Sequence, residues 1–384
     1  MTLLRTRKND LFVLCTSCFN RQIDPKNTNK NKLILQLIRS DSQICYICKN
    51  QINNLENVCD KLIQYLKREK YEFNSFLINV TLPLIFYENE DNIRSRYKIR
   101  GCENIKSDIV SKIRNIVSKK LDKTIDYFDP DITIHIEFND QDNNYYVDPV
   151  FTIKSKPLFI LGRYLKKKGI TYQKDLKCKH VLGKMCDSCK MEKEAKNYIS
   201  IEQIAREHLQ IFDGEQIIFS WFGSEDPESL VSGNGRPFAV KIINPKLRTF
   251  IDNNLTQICT DNIEIFFEIV KKIPNTLRSF TVITKIFVKC SSKIVSEKLN
   301  LLLQLKDTDV VYHDGSKTSK KKIYSVYLEI IDDYTFAITL KSDGGLFIKQ
   351  FLGRSGKQII FPTISDILDM KCECMKFDII DVIT

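Results

Sequence analysis

The chain has 384 residues, 43% of them hydrophobic, and a net charge of +11 with a pI near 8.9. That length predicts two domains rather than one core. The basic balance favours an acidic partner such as a phosphate backbone, although lysines scattered over a solvated surface give the same sum. No run approaches the roughly 20 apolar residues of a membrane span, and the opening MTLLRTRKND lacks an apolar core of signal-peptide length. A reducing compartment, nucleus or cytoplasm, is therefore expected.

Along the chain, residues 24–32 form an Asn/Lys-rich loop. Leu55, Val58, Leu62 and Leu66 recur at helical spacing, as do Ile105, Ile109, Ile113, Ile116 and Val117. Between them, FLINVTLPLIF (76–86) predicts a strand interrupted at Pro83, hence an edge or a bend. ITIHIEF (132–138) alternates strictly and predicts a strand with Ile132, Ile134, Ile136 and Phe138 on one face. Residues 161–200 are basic and, from 166 onward, without period, and predict a linker. A helix is expected over Ile201–Phe212, then strands including YTFAITL (334–340) and GLFIKQF (345–351). A short helix near Thr363–Met370 and a final strand close the chain. The mixture is α+β rather than a βαβ repeat. No helical seam asks for a partner copy, so a monomer is expected.

The 13 cysteines read as metal ligands before disulfides in a reducing compartment. Cys15-x2-Cys18 and Cys45-x2-Cys48 supply four soft thiolates, the set of a closed tetrahedral structural zinc site. Cys178, His180, Cys186 and Cys189 make a weaker second candidate against a plain linker. Cys59, Cys102, Cys259 and Cys290 lie in apolar context and read as small core residues. His135-x-Glu137 with Cys186-x2-Cys189 superficially matches the zinc deaminases. Here, however, the His and Glu stand on an alternating strand, and Met185 rather than proline precedes Cys186.

Residues 220–238 read SWFGSEDPESLVSGNGRPF. An aspartate beside proline, followed by a Gly-Asn-Gly turn and Arg-Pro, describes a loop exposing a carboxylate near a cation. On spacing alone an ordinary acidic surface loop is the simpler reading.

The stretch resembles the Pus-ten family of tRNA pseudouridine synthases, whose pattern pairs a G-R-E-D-x-D-V-R loop with G-x-G-R-P-F; GNGRPF stands intact at 233–238. KIRGCENIKSD (98–108), DPDITIHIEF (129–138), PLFILGRY (157–164) and the two Cys-x2-Cys knuckles are similar to the family's accessory RNA-binding domain with its THUMP-like fold. KKKIYSVYLEI (320–330), GGLFIKQFLGRSGK (344–357) and the closing PTISDILDMKCECMKFDIIDV are similar to its C-terminal strands. The resemblance implies an α+β protein with a zinc-containing THUMP-like domain over 1–160, the linker over 161–200 and a mixed-sheet pseudouridine synthase domain over 201–384.

It implies the site residues too. Asp226 falls on the catalytic carboxylate, Tyr324 on the tyrosine that stacks on a flipped uracil, and Lys349 on the basic residue that keeps the aspartate ionised. Arg163, Arg236, Lys320, Lys321 and Lys322 are expected to contact RNA. Structural zinc is the only cofactor implied, since the product is an isomer of the substrate, and tRNA is the partner, modified at T-loop positions fifty-four and fifty-five. The sequence departs from the pattern at Ser224, Glu228, Leu230 and His313-Asp314-Gly315, where Lys317 and Lys320–Lys322 are expected to substitute point charge for arginine forks. The competing reading is a homologue that grips tRNA without catalysing.

Overall fold

The computed structural model describes residues 12–23, 37–100, 102–138, 149–176, 186–195, 198–250, 256–314, 317–353 and 359–384. Two compact units emerge, the first of residues 1–156 with 244–248 and the second of the remaining chain.

In the first unit, short strands β1 (Val13–Leu14) and β2 (Ile38–Arg39) pair in parallel around the cysteine knuckles. A second sheet runs in the order β4 (Thr124–Ile125), β3 (Ser75–Thr81), β5 (Ile132–Phe138), β6 (Pro149–Ser155). The two periodic segments are the helices Leu55–Arg68 and Ile105–Leu121. They bury Leu55, Val58, Leu62, Leu66, Ile105, Ile109, Ile113 and Val117 in one core with Phe76, Ile78 and the inward face of β5. Asn104 caps the second helix by accepting from the Ser107 amide. His135 and Glu137 lie on the outward face of β5, as the alternation required.

Two expectations change. β3 is interior to its sheet and stops at Thr81, and Pro83 instead starts the helix Leu84–Arg96. Periodicity hid that helix because its inner face carries Asn89 and Glu90, both buried. Glu90 is matched by the buried guanidinium of Arg21 at 2.8 Å, and Arg21 also reaches Asp108.

The second unit is built on an eleven-stranded sheet. Its main path is β10 (Gln257–Cys259), β11 (Ile263–Val270), β7 (Leu158–Lys166), β9 (Val231–Ile243), β17 (Cys372–Ile383), β12 (Thr281–Cys290), β15 (Thr335–Asp343), β14 (Lys317–Ile330), β13 (Asp309–Asp314), β16 (Ile359–Phe361). Strand β8 (Gln216–Trp221) pairs with residues 238–243 of β9, whereas β17 meets β9 at Val231. The sheet therefore forks at β9, and residues 222–230 cross the gap between the two branches.

PLFILGRY thus belongs to the second unit. Its alternation, with Leu158, Ile160, Gly162, Tyr164 and Lys166 inward, carries it through the sheet as a core strand. The span 161–200 is accordingly more than a linker. It completes β7, pairs Tyr172 with Ser200, stacks Tyr172 on Tyr198 at 4.0 Å and forms the helix Asp187–Ala195. GLFIKQF is not a strand: Gly345, at φ +86°, turns the chain into the helix Ile348–Leu352. Apolar positions Ile348, Phe351 and Leu352 are spaced for a helix, and all three are buried. The Gly-Asn-Gly segment likewise lies within β9, where Gly233 and Gly235 take positive φ.

Gly162 faces Phe238 across β7 and β9, and a Cβ there would stand 2.1 Å from the Phe238 ring. The ring fills that space and touches Trp221, Phe219 and Tyr164. Phe238→Ala should destabilise the chain by about 3–5 kcal/mol, and Gly162→Ala by about 1–3 kcal/mol through overpacking. In the double variant the penalties should fall short of their sum, read by chemical denaturation; strict additivity would refute the filling role of the ring.

Candidate active site

The bridging segment 222–230 holds two consecutive acids that point in opposite directions. Glu225 turns inward and its side chain is 0% exposed, whereas that of Asp226 is 35% exposed. The inner acid lies 2.8 Å from Arg236 Nε, a charge contact rather than an aligned hydrogen bond, and 3.9 Å from Lys166 Nζ. Tyr164 donates its hydroxyl to Glu225 Oε1 at 2.6 Å, and burial above all pushes that phenol well above its ordinary range. Tyr164 and Arg236 are direct cross-strand partners on β7 and β9. Gly223 is required here: it sits at φ +82°, and a Cβ would fall 2.3 Å from Arg236 Nη1.

The outer acid meets Lys349. The ammonium stands 3.0 Å from one Asp226 oxygen and 2.9 Å from the other. The hydrogen bond to Asp226 raises the lysine above its ordinary pKa. Lys349 is delivered by the helix that replaced the expected strand. A hollow of about 220 Å³ opens over the pair, lined by Ser224, Glu225, Asp226, Leu346–Gln350 and Phe377. It is smaller than the roughly 300–1,000 Å³ of sites that enclose a drug-sized ligand, which suits one planar ring. Cys374 lines a larger neighbouring hollow with Lys349, and its thiol is pushed up to about 11, chiefly by burial.

Of the three expected catalytic groups, the structure brings together Asp226 and Lys349. Tyr324 does not line the hollow. Its hydroxyl donates to Asp343 Oδ1 at 2.8 Å, and that bond raises the phenol's pKa. Asp343 also accepts from the Lys322 amide and ends β15, one residue before the Gly344–Gly345 turn that leads to Lys349. Phe347, half exposed in the lining, is an aromatic face that sequence reasoning missed.

The expected RNA contacts divide. Arg236 is buried, and it donates to the carbonyls of Phe222 and Ser224; it is an interior group, not an RNA contact. Arg163 is half-buried and turns its guanidinium on the carbonyls of Asn234, Gly235 and Val382 and on the Thr384 hydroxyl, so its donors serve the fold. Both arginines were drawn inward because a loop and bulged strand leave carbonyls that no ladder satisfies. Lys320 is exposed on β14, with Lys321 and Lys322 half-buried beside it. Gly315 and the side chains of Asp314 and Lys317 lie outside the described residues.

In the first unit the Sγ atoms of Cys15, Cys18, Cys45 and Cys48 all lie within 4.8 Å of one another, and all four residues are buried. Tetrahedral zinc with bonds of about 2.3 Å puts sulfurs about 3.8 Å apart; Cys15 and Cys48 are separated by 3.7 Å. The Cys18 amide donates to Cys15 Sγ, and Arg21 donates to Cys18 Sγ at 3.5 Å. The donor set fits a structural metal ion with no open position. For the weaker cluster, Cys178 and His180 lie outside the described residues. Cys59 and Cys290 are buried as expected, Cys102 is half-buried and Cys259 is exposed, a correction that follows from its place on the edge strand β10.

Comparison with known proteins now adds to the geometry. Residues 159–383 match the family model "Pus10, C-terminal", and residues 59–137 match "Pus10 THUMP domain, archaeal". A tRNA pseudouridine synthase Pus10 of Nitrosopumilus maritimus is 33% identical over 96% of this chain and 94% of its own length. The corresponding proteins of Methanocaldococcus jannaschii and Cenarchaeum symbiosum are 30% and 25% identical, over 92% and 96% of this chain and 78% and 89% of theirs. The chain belongs to the Pus10 family, with a THUMP domain in its first unit and the family's C-terminal domain in its second.

Proposed function

We propose that this protein isomerises uridine to pseudouridine in the T-loop of tRNA, at position fifty-four or fifty-five, with Asp226 as the catalytic carboxylate. The observation that carries the reading is the Asp226–Lys349 pair at the floor of a small hollow, in a chain akin over most of its length to tRNA pseudouridine synthases. The reaction breaks the N1–C1′ bond, joins C5 to C1′ and removes the C5 proton, so it needs a carboxylate and a proton path but no redox or organic cofactor. Lys349 holds the Asp226 oxygens in place. The uridine must leave its stack to reach them. Phe347, in the lining, is assigned a stacking face for the everted base, while Tyr324, to which the family resemblance gives that role, stands outside the hollow with its hydroxyl on Asp343. Lys320, Lys321 and Lys322 supply charge for the phosphate backbone. The THUMP domain holds the tRNA body, and the four cysteines hold zinc that ties its N-terminal segment.

Asp226→Ala should abolish pseudouridine, mapped by chemical labelling of tRNA, while tRNA affinity changes by no more than a few-fold, since one carboxylate adds little to backbone contacts. If the unmodified protein leaves T-loop uridines unchanged, the reading as a non-catalytic tRNA-binding homologue takes its place.

Lys349→Ala should lower turnover by about 100-fold, the scale of losing one positioned donor. The thermal midpoint should scarcely move, because so exposed a pair contributes only about 0–1 kcal/mol. A variant that turns over normally would remove Lys349 from the machinery.

Zinc released by acid or thiol modification should amount to one ion per chain. A strong chelator, or Cys45→Ser, should loosen the first unit, seen as faster amide exchange in residues 12–23 and 37–50. Unchanged exchange in the metal-free protein would refute a structural role.

A further inference from the structure

We infer that Lys166 is a positioning residue for Asp226: its interior ammonium clamps the main chain of the acid-bearing loop from below. This rests on the reading of Asp226 as the catalytic carboxylate. Lys166 occupies the last inward position of β7, and its side chain is 1% exposed. A charged lysine is almost never enclosed so far unless it is paired. Its Nζ donates to the carbonyl of Asp226 and to that of Pro227, each at 3.0 Å, while its nearest counterion, Glu225, is 3.9 Å away.

The surrounding bonds show what this cation does. Along the loop, Phe222 and Ser224 carbonyls accept from Arg236, and that of Gly223 accepts from Gln173 Nε2 at 3.2 Å. Those of Asp226 and Pro227 accept from Lys166, with the Ser229 and Thr171 amides as second donors. Five carbonyls of the loop are thus held from beneath, three of them by side chains of β9 and the segment after β7. Glu225 turns inward as the shared counterion, and Asp226 is turned outward toward Lys349. Two interior cations face one interior carboxylate. Burial foremost lowers the Lys166 pKa, while Glu225, Asp226 and the mostly buried Asp378 offset part of that effect. The ammonium therefore sits between the buried acid and the backbone of the outer one. Removing it leaves the Asp226 and Pro227 carbonyls with one amide donor each in place of two, and leaves the Asp226 side chain, Lys349 and every lysine assigned to RNA untouched.

The test uses the full chain with Lys166→Met, which nearly keeps the length but removes charge and donors, and Lys166→Gln, which keeps an uncharged NH2 donor. Single-turnover rate at saturating tRNA, tRNA dissociation constant and thermal midpoint are measured together. Displacing a reacting group by about 1 Å costs on the order of 100-fold. The expected result is a rate lowered about 10- to 100-fold in Lys166→Met, affinity kept within about 3-fold, and partial recovery in Lys166→Gln. A folded variant of either kind turning over at the unmodified rate overturns the inference. So does parallel loss of rate and affinity, or failure of both variants to fold, since Lys166 would then serve the whole unit rather than the loop. If the unmodified protein makes no pseudouridine, the Asp226 reading has failed and the inference falls with it; if it does and Lys166→Met matches it, only the inference falls.

Discussion

The site depends on one constraint: neighbouring carboxylates, Glu225 and Asp226, must face opposite ways. The fork in the sheet makes this possible. β8 leaves β9 after Trp221 and β17 joins it at Val231, so the intervening loop has no ladder on either side. Its carbonyls need other donors, and buried Arg236, Lys166 and Gln173 supply them. The two cations among them, Arg236 and Lys166, in turn demand an anion, which is Glu225. With Glu225 drawn inward, Asp226 is left at the surface, free to pair with Lys349.

An interior group of two cations, a carboxylate and a phenol carries a heavy desolvation cost, and apolar residues of similar volume would often be as stable. What hydrophobic packing could not do is satisfy the loop. A floor of methyl groups would leave several carbonyls orphaned. The arrangement therefore exchanges stability for a defined loop, a rigid support of the kind the role proposed for Asp226 would need. The same economy appears in the first unit, where buried Arg21 joins Glu90, Asp108 and the Cys18 sulfur. That arrangement ties the cysteine knot to two helices by charge, in a segment too short to build a core of its own.

The placement of Lys349 shows how a local misreading can still leave a residue beside its expected partner, Asp226. GLFIKQF has enough β-branched and aromatic character to pass for a strand, and a strand would have sent Lys349 to one face or the other by parity. The turn at Gly345 and the burial of Ile348, Phe351 and Leu352 make it a helical turn. The lysine comes out on the exposed side of that turn, facing the loop.

Period and spacing in the sequence determined the parts that are local. Alternation marked β5, helical recurrence marked Leu55–Arg68 and Ile105–Leu121, and the doubled Cys-x2-Cys marked four sulfurs that the fold gathers within 4.8 Å. Resemblance placed the site on Asp226 and Lys349. Tertiary structure alone decided which cation serves which acid. Arg236, ten residues from Asp226, went inward to Glu225, while Asp226 drew its partner from 123 positions away and its support from a strand 60 positions before it. The alternation Leu158, Ile160, Gly162, Tyr164 already put Lys166 on a core-facing row, but no local pattern says that an inward lysine will find an acid. Ion pairing across strands is set by sheet order, and sheet order arises from contacts that no short window of sequence contains.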